Sequence, residues 1–471
     1  MRVARFPAHR MGTAVQLNLR ARLRTSPALW TAPVWGGIII FYFFYVVHLE
    51  DSRAEVLAGP LWAPEQVALV LSFFYAFAYA ITVGLAVWEG GRLVLDGVWT
   101  LAPSRTRIRV AVHALTPSVV AGWLVLTVPV ILRLVETSLM PSLAALTPLL
   151  MGMGIVGAYA LLGCALGHLV PRSIAAPLAS VAVFYLVSGS GGYSDPVWPR
   201  HTLGQIDTSL AFGERYGVLT VLVPFLFIAA AAAAAAACWL RGPRRRLVRT
   251  AAVVAALGVS VACAREASGW GIADGPVVAG QAPVRCVGEA PRVCMAESGG
   301  AIGSLDEVRT HVVASVRKLQ AAGVRVEMPD VVSDALLAER HRKRSSATQW
   351  WLPLSRQAGE PGGGMVNIRY AVLLTSVRFP CTLPAAFEPG MPADWIVPHD
   401  AATLWAAQKI DAESPYLAWR RSEYGAIQNA HEVLAKVKKL ADDTSGLPSE
   451  TEQKAWFHAE QQKACELAGR A

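Results

Sequence analysis

Apolar residues over the first 265 positions neither alternate nor keep to one side of a helix. They come in unbroken runs of about 20 residues, enough for a helix to cross a hydrocarbon core of about 30 Å. Seven such runs fall over 28–48, 66–88, 110–132, 147–169, 172–189, 216–240 and 249–265. Leu, Val, Ile, Phe and Ala fill them, with Pro and Gly inside, as membrane helices tolerate. The last is the weakest. Arg245, Arg246 and Arg249 can snorkel from one of its ends while Trp270 marks the other. The run Ala229 to Ala237 reads equally well as a slim surface for a neighbouring helix and as compositional bias.

Past 265 the pattern changes. Ser304 and Glu307 form a capping box for a helix with Leu305, Val308, Val312, Val316 and Leu319 on one face. Residues 324–330 read as a strand. In 365–379, Val366, Ile368, Tyr370, Val372 and Leu374 alternate as a half-buried strand would. Three helices close the chain near 401–409, 421–441 and 449–468, the last opened by Ser449 and Glu452. The predicted fold class is an α-helical integral membrane domain over 28–265 joined to a soluble α+β domain over 266–471. An Arg-rich amphipathic segment over 1–27 precedes both. The first apolar run has no small-residue cleavage site, so it is kept as a span and not a signal peptide.

Composition agrees: 54% of the residues are hydrophobic and 16% charged, against about a quarter charged in soluble domains. Arginine sets the expected orientation. With the N-terminus inside, 16 of the 21 arginines before residue 266 are cytoplasmic, including Arg92, Arg105, Arg107, Arg109, Arg172 and Arg241. Retention of positive residues inside favours this assignment over its inverse. An odd number of spans then places 266–471 outside the cell membrane. The net charge of +9 reflects that orientation and the anionic inner leaflet, and no nucleic-acid partner is expected. Outside, cysteines can pair. Cys286 and Cys294 lie on an expected β-hairpin and form the preferred bridge, with Cys381 and Cys465 as the second. Cys164, Cys238 and Cys263 fall in spans and read as apolar packers.

Candidate chemistry is thin. The pattern G-x-x-x-x-G-K-[ST] is absent, and the glycine-rich 359–368 lacks its lysine and precedes an expected strand, so it reads as a turn. Ser188 and Ser190 lie among glycines, but His168 falls at the opposite end of a neighbouring span. A nucleophile–base pair is therefore not expected there. His431 and Glu432 begin a zinc-helix spelling that Ala435 ends, and His311, His341, His399 and His458 complete no motif. The "RHRKR" of 340–344, followed by Trp350 and Trp351, reads as a solvated helix end beside buried tryptophans. No catalytic residue, metal or cofactor is expected.

One charged stretch stands out within the apolar half: W-E-x-G-R-L from Trp88, then L-A-P-S-R-x-R ending at Arg107. Together with the basic N-terminal segment and the short loops between spans, it resembles the membrane subunit of an ABC-2-type transporter. The layout is similar to that of the actinobacterial type with an extra span and a C-terminal extracytoplasmic domain. The resemblance covers about residues 1–245 and implies that the connector docks on a separate ATPase subunit. Carried over by position, Glu89, Arg92, Pro103, Ser104, Arg105 and Arg107 form that docking region. It also implies a homodimer or a heterodimer of permease subunits. An apolar path suits a hydrophobic substrate. The connector's charges are expected to sit in water, so substituting Glu89 and Arg92 should barely change stability. The alternative reading is a membrane-anchored sensor or binding protein whose outer domain recognises a ligand or an envelope component.

Overall fold

The computed structural model describes residues 26–47, 61–98, 107–238, 245–280, 282, 284–296, 304–338, 345–354, 364–382, 394–423 and 430–469. The chain divides into two compact units that meet in sequence between 281 and 282, so residues 266–281 belong with the helices.

Among the described residues, the first unit holds seven helices long and apolar enough to cross a membrane. They are α1 (Pro27–Tyr42, continued by a π-turn to Val47), α2 (Ala63–Leu95), α3 (Arg107–Glu136), α4 (Leu143–Leu169), α5 (Arg172–Ser190), α7 (Val218–Ala237) and α8 (Arg245–Ser268). A short α6 (Trp198–Thr202) lies between the fifth and sixth spans. Ser26 and Ser142 cap α1 and α4 by accepting from Ala28 N and Ala145 N. This is a multi-pass membrane protein, and each expected span is present.

Helix α2 is the axis of the unit and packs on α3, α4 and α5. Glycine makes this possible. A methyl group on Gly163 would stand 2.6 Å from the Val83 carbonyl oxygen, and one on Gly90 would stand 2.6 Å from that of Cys164. One on Gly167 would overlap the Val87 carbonyl, one on Gly84 the Ser180 hydroxyl, and one on Gly122 the Thr82 hydroxyl. Bare backbone therefore lies on backbone along the Gly163-x-x-x-Gly167 face, the close approach that small residues permit between membrane helices.

The second unit has its own core around a four-stranded sheet, β3 (Val284–Val287), β4 (Arg292–Ala296), β5 (Val331–Asp334) and β6 (Gln349–Leu352), in that order. (In the first unit, β1 (Arg215–Tyr216) and β2 (Val277–Val278) form a two-stranded antiparallel ladder.) The β3–β4 pair is the expected hairpin, with Cys286 opposite Cys294, while β4, β5 and β6 run parallel. Helix α9 (Leu305–Ala321) packs with Val308, Val312, Val316 and Leu319 fully buried, and Ser304 caps it by accepting from Glu307 N. The remaining helices are α10 (Gly364–Ser376), α11 (Ile396–Lys409), α12 (Glu413–Glu423), α13 (Ala430–Ser445) and α14 (Glu450–Ala468), the last capped by Ser449.

Two strand expectations are corrected. Residues 364–376 form a helix: Ile368, Ala371, Val372 and Leu373 are buried while Leu374 is 46% exposed, a helical period and not an alternating one. The strand expected over 324–330 starts instead at Val331. Pro329 has no N–H to give a ladder, and pairing begins beyond it, where Asp330 and Val331 donate to the Thr348 carbonyl. The helix expected over 421–441 falls on the end of α12 (Glu413–Glu423) and on α13 (Ala430–Ser445), and residues 424–429 lie outside the described residues. Residues 340–344 lie outside the described residues, and Trp350 is a buried strand residue.

Candidate functional site

The charged connector is shorter than its sequence suggests, because α2 runs on to Leu95. Gly90 and Gly91 look like loop residues, but contact with α4 and α5 holds them in the helix. Glu89 and Arg92 thus occupy the last turns of α2. Their environments differ. Arg92 pairs with Asp96 one turn on at 3.5 Å, Arg92 half-buried and Asp96 exposed. Glu89 is only 8% exposed and accepts from the Ser26 hydroxyl at 3.4 Å. It faces inward and ties the start of α1 to the end of α2, which corrects the expectation that it sits in water. Pro103, Ser104 and Arg105 lie outside the described residues, and Arg107 is the first residue of α3.

Neighbouring contacts converge on the same end. The Arg172 guanidinium lies 4.7 Å from the centre of the Trp88 ring, joining the start of α5 to α2. His168, on the last turn of α4, bonds back to the Cys164 carbonyl at 2.6 Å through Nδ1. At the opposite end, Arg133 is buried and donates to the Gln66 side chain through Nε (2.9 Å) and a terminal nitrogen (2.6 Å), with Glu136 at 3.3 Å. The sequence places Arg133 in a loop; it belongs to α3 and reaches α2.

Between these ends the unit contains backbone that is not helical. After α5 the chain turns into the helices, and Gly204 (φ +101°) packs 3.1 Å from the Tyr79 ring, measured from where a Cβ would be. Tyr79 is the middle residue of α2. Its hydroxyl donates to the Gly204 carbonyl at 2.7 Å, and Tyr159 on α4 donates to that of Leu203 at 3.3 Å. The two rings stack at 5.0 Å. Gln205 donates to Ser190 at 2.6 Å. Irregular backbone inside a membrane unit is stable only where protein satisfies its polar groups, and these side chains do so. Composition carries a signal for this: tyrosines within apolar spans have hydroxyls that need an acceptor.

Farther along, the loop pairs with the segment after α8 through β1 (Arg215–Tyr216) and β2 (Val277–Val278). His201 donates from Nε2 to the Gly271 carbonyl at 3.1 Å and meets the Trp270 ring edge-on. Burial pushes the His201 pKa below its ordinary value, against the opposing pull of that bond and of Asp207 and Asp274. The candidate nucleophile Ser190 donates to the Val187 carbonyl. It stands at the far end of α5 from His168, about 27 Å along the helix by its rise per residue, so the structure does not bring the two together.

In the second unit both expected bridges are formed, Cys286–Cys294 and Cys381–Cys465. The sequence gives less warning of a buried cluster on α11 and α12. Asp400 is fully buried and takes Arg420 as its ion-pair partner. The His399 Nδ1 lies 2.6 Å from the same carboxylate, and Arg420 covers the Trp419 ring at 4.3 Å. Burial, with Asp400 beside it, holds the Tyr416 hydroxyl well above its usual range. The available signal was an acid inside "IVPHDAATLWAA", a helix apolar on every side, where a buried carboxylate requires a cation.

Comparison of the chain with family models, curated proteins and solved structures finds no match.

Proposed function

We propose that this chain is the membrane subunit of an ABC-2-like transporter, worked by a separate ATPase that docks on the end of α2 and the connector to α3. The observation behind this reading is mechanical. The end of α2 is tied to α1 through Glu89 and Ser26 and to α5 through Trp88 and Arg172. The rest of α2 lies against α3, α4 and α5 through glycine contacts, so force applied at that end reaches those helices and α1. The arginine bias supports a cytoplasmic position for it, and the two disulfides support an oxidising, extracytoplasmic setting for the second unit. The substrate is proposed to be hydrophobic, and two permease subunits to assemble together.

Quantitative co-purification tests the docking. Arg92→Ala removes a partly exposed charge whose pair with Asp96 lies at the surface and is worth about 0–1 kcal/mol, so expression should hold and stability should change little. Partner recovery should fall steeply, because truncating one side of a desolvated interfacial pair costs about 2–5 kcal/mol. Recovery equal to wild type at equal expression would end the docking reading. Glu89→Ala is not an equivalent probe, since it leaves the buried Ser26 hydroxyl without this acceptor and should lower stability by about 1–3 kcal/mol.

Orientation has its own test. With Cys164, Cys238 and Cys263 replaced and both disulfides kept, Thr451→Cys should react with an impermeant thiol reagent on intact cells. Arg241→Cys should react only after lysis. Thr451 is preferred to Ser449, whose hydroxyl caps α14. The reverse labelling pattern would overturn the proposed orientation. The second reading, a membrane-anchored binding protein, is favoured by the independently cored, disulfide-tied second unit. It predicts a stable chain that recovers no ATPase under any nucleotide condition.

A further inference from the structure

We propose that the loop over 191–217 and the segment over 269–280 form a single strap, held shut at Tyr79 and Tyr159 and released as a unit. Its two halves satisfy each other. Gly275 N donates to the Thr208 hydroxyl at 3.0 Å, and Gly217 N donates to the Pro276 carbonyl at 2.8 Å. The Thr220 hydroxyl donates to the same Pro276 carbonyl. The Tyr216 hydroxyl donates to the Thr208 carbonyl at 2.9 Å, and Arg215 and Tyr216 pair with Val278 and Val277. His201 closes the set on Gly271. Thr208, His201 and Tyr216 are buried, so neither half can leave without exposing polar groups that the other now satisfies.

The attachment to the helices is of a different kind. At Leu203 and Gly204 no ladder joins the loop to α2 or α4; two phenolic hydroxyls donate to the two carbonyls, and farther along Trp62, at the start of α2, donates to the Glu214 carbonyl at 2.8 Å. Tyr79 stands on the axial helix, so any displacement of α2 withdraws one of those donors. Release of the loop then loosens residues 269–280, directly ahead of Ala282, where the second unit begins. The strap thereby links the position of α2 to the tether of the second unit. This holds whatever moves α2, so it stands apart from the proposed ATPase.

Hydrogen exchange of the full chain in detergent, read by mass spectrometry, tests it. Tyr79→Phe combined with Tyr159→Phe removes only the two hydroxyls. Exchange should rise about tenfold at residues 203–206 and also at Gly217, Gly275 and the β1–β2 amides, as local opening of one cooperative segment requires. The amides of 149–160 on α4 should stay unchanged. A rise confined to 203–206 overturns the strap, and so does a uniform rise across the chain. Coupling is reciprocal, which supplies a second arm. Thr220→Val removes a donor to the Pro276 carbonyl and should speed exchange at 203–206, at the other end of the loop from the substitution. If the double tyrosine variant is not recovered folded, this arm decides alone: no change at 203–206 rejects the proposal.

Discussion

Replacing Gly167 with leucine should prevent the helical unit from assembling in its native form. A Cβ at 167 would overlap the Val87 carbonyl and lie 2.8 Å from Gly91 N, and both are backbone atoms that cannot rotate away. Overpacking a fitted interior costs about 1–3 kcal/mol when side chains can shift. Here α2 and α4 must separate along their whole contact, so the upper end of that range or more is expected. Size-exclusion profiles and thermal midpoints in detergent would show aggregation or a large drop. Gly157→Leu is the control, since a Cβ there meets nothing within 4 Å although the residue sits on the same helix. Equal behaviour of the two variants would mean that α2 and α4 do not touch through Gly163 and Gly167.

The second large effect is expected from the long disulfide. Cys381–Cys465 spans a sequence separation of 84 and Cys286–Cys294 one of 8. In the chain-entropy account the first removes about 4.6 kcal/mol of unfolded-state freedom and the second about 2.6 kcal/mol. Cys381→Ala with Cys465→Ala should therefore destabilise the second unit more than Cys286→Ala with Cys294→Ala. The hairpin pair already has the β3–β4 ladder to hold its ends together, whereas the long bridge fastens α14 to the chain leaving α10. Pulse proteolysis of the intact protein in increasing urea, following fragments from 282–471, would rank the two. A larger loss from the hairpin pair would contradict this order.

Hydropathy located every span because lipid demands about 20 apolar residues in a row and nothing else in this chain supplies them. It misjudged the end of α2, since Gly90 and Gly91 look like a turn until a second helix is laid against them. The same limit explains the 365–379 stretch. Val366, Ile368, Tyr370, Val372 and Leu374 alternate, yet Ala371 and Leu373 are also buried, and a small residue and a large one in those places fit a helix equally well. Capping was legible at Ser304 and Ser449 because its donor and acceptor lie three residues apart. Of the candidate site, the partial exposure of Arg92 was legible, while the inward turn of Glu89 depends on Ser26, distant in sequence. Asp400 and Arg420 belong to different helices and met the same obstacle.

Two spans of unequal reach lie side by side in this unit. α5 has 19 residues and α2 has 33, about 28 Å and about 50 Å by the helical rise. Both are anchored at one end where Arg172 meets Trp88, so α2 continues beyond Ser190 and leaves a step. The loop carrying Gly204 does not lie in that step alone: it enters between the helices as far as Tyr79 and Tyr159, with irregular backbone beside continuous helix. Such a loop differs from a wall. Removing a stretch of helix breaks a hydrogen bond at each residue, whereas clearing Leu203–Gln205 breaks the few side-chain bonds that hold it. The interior is therefore unevenly resistant along its depth, and the place of least resistance is the level of Tyr79 and Tyr159.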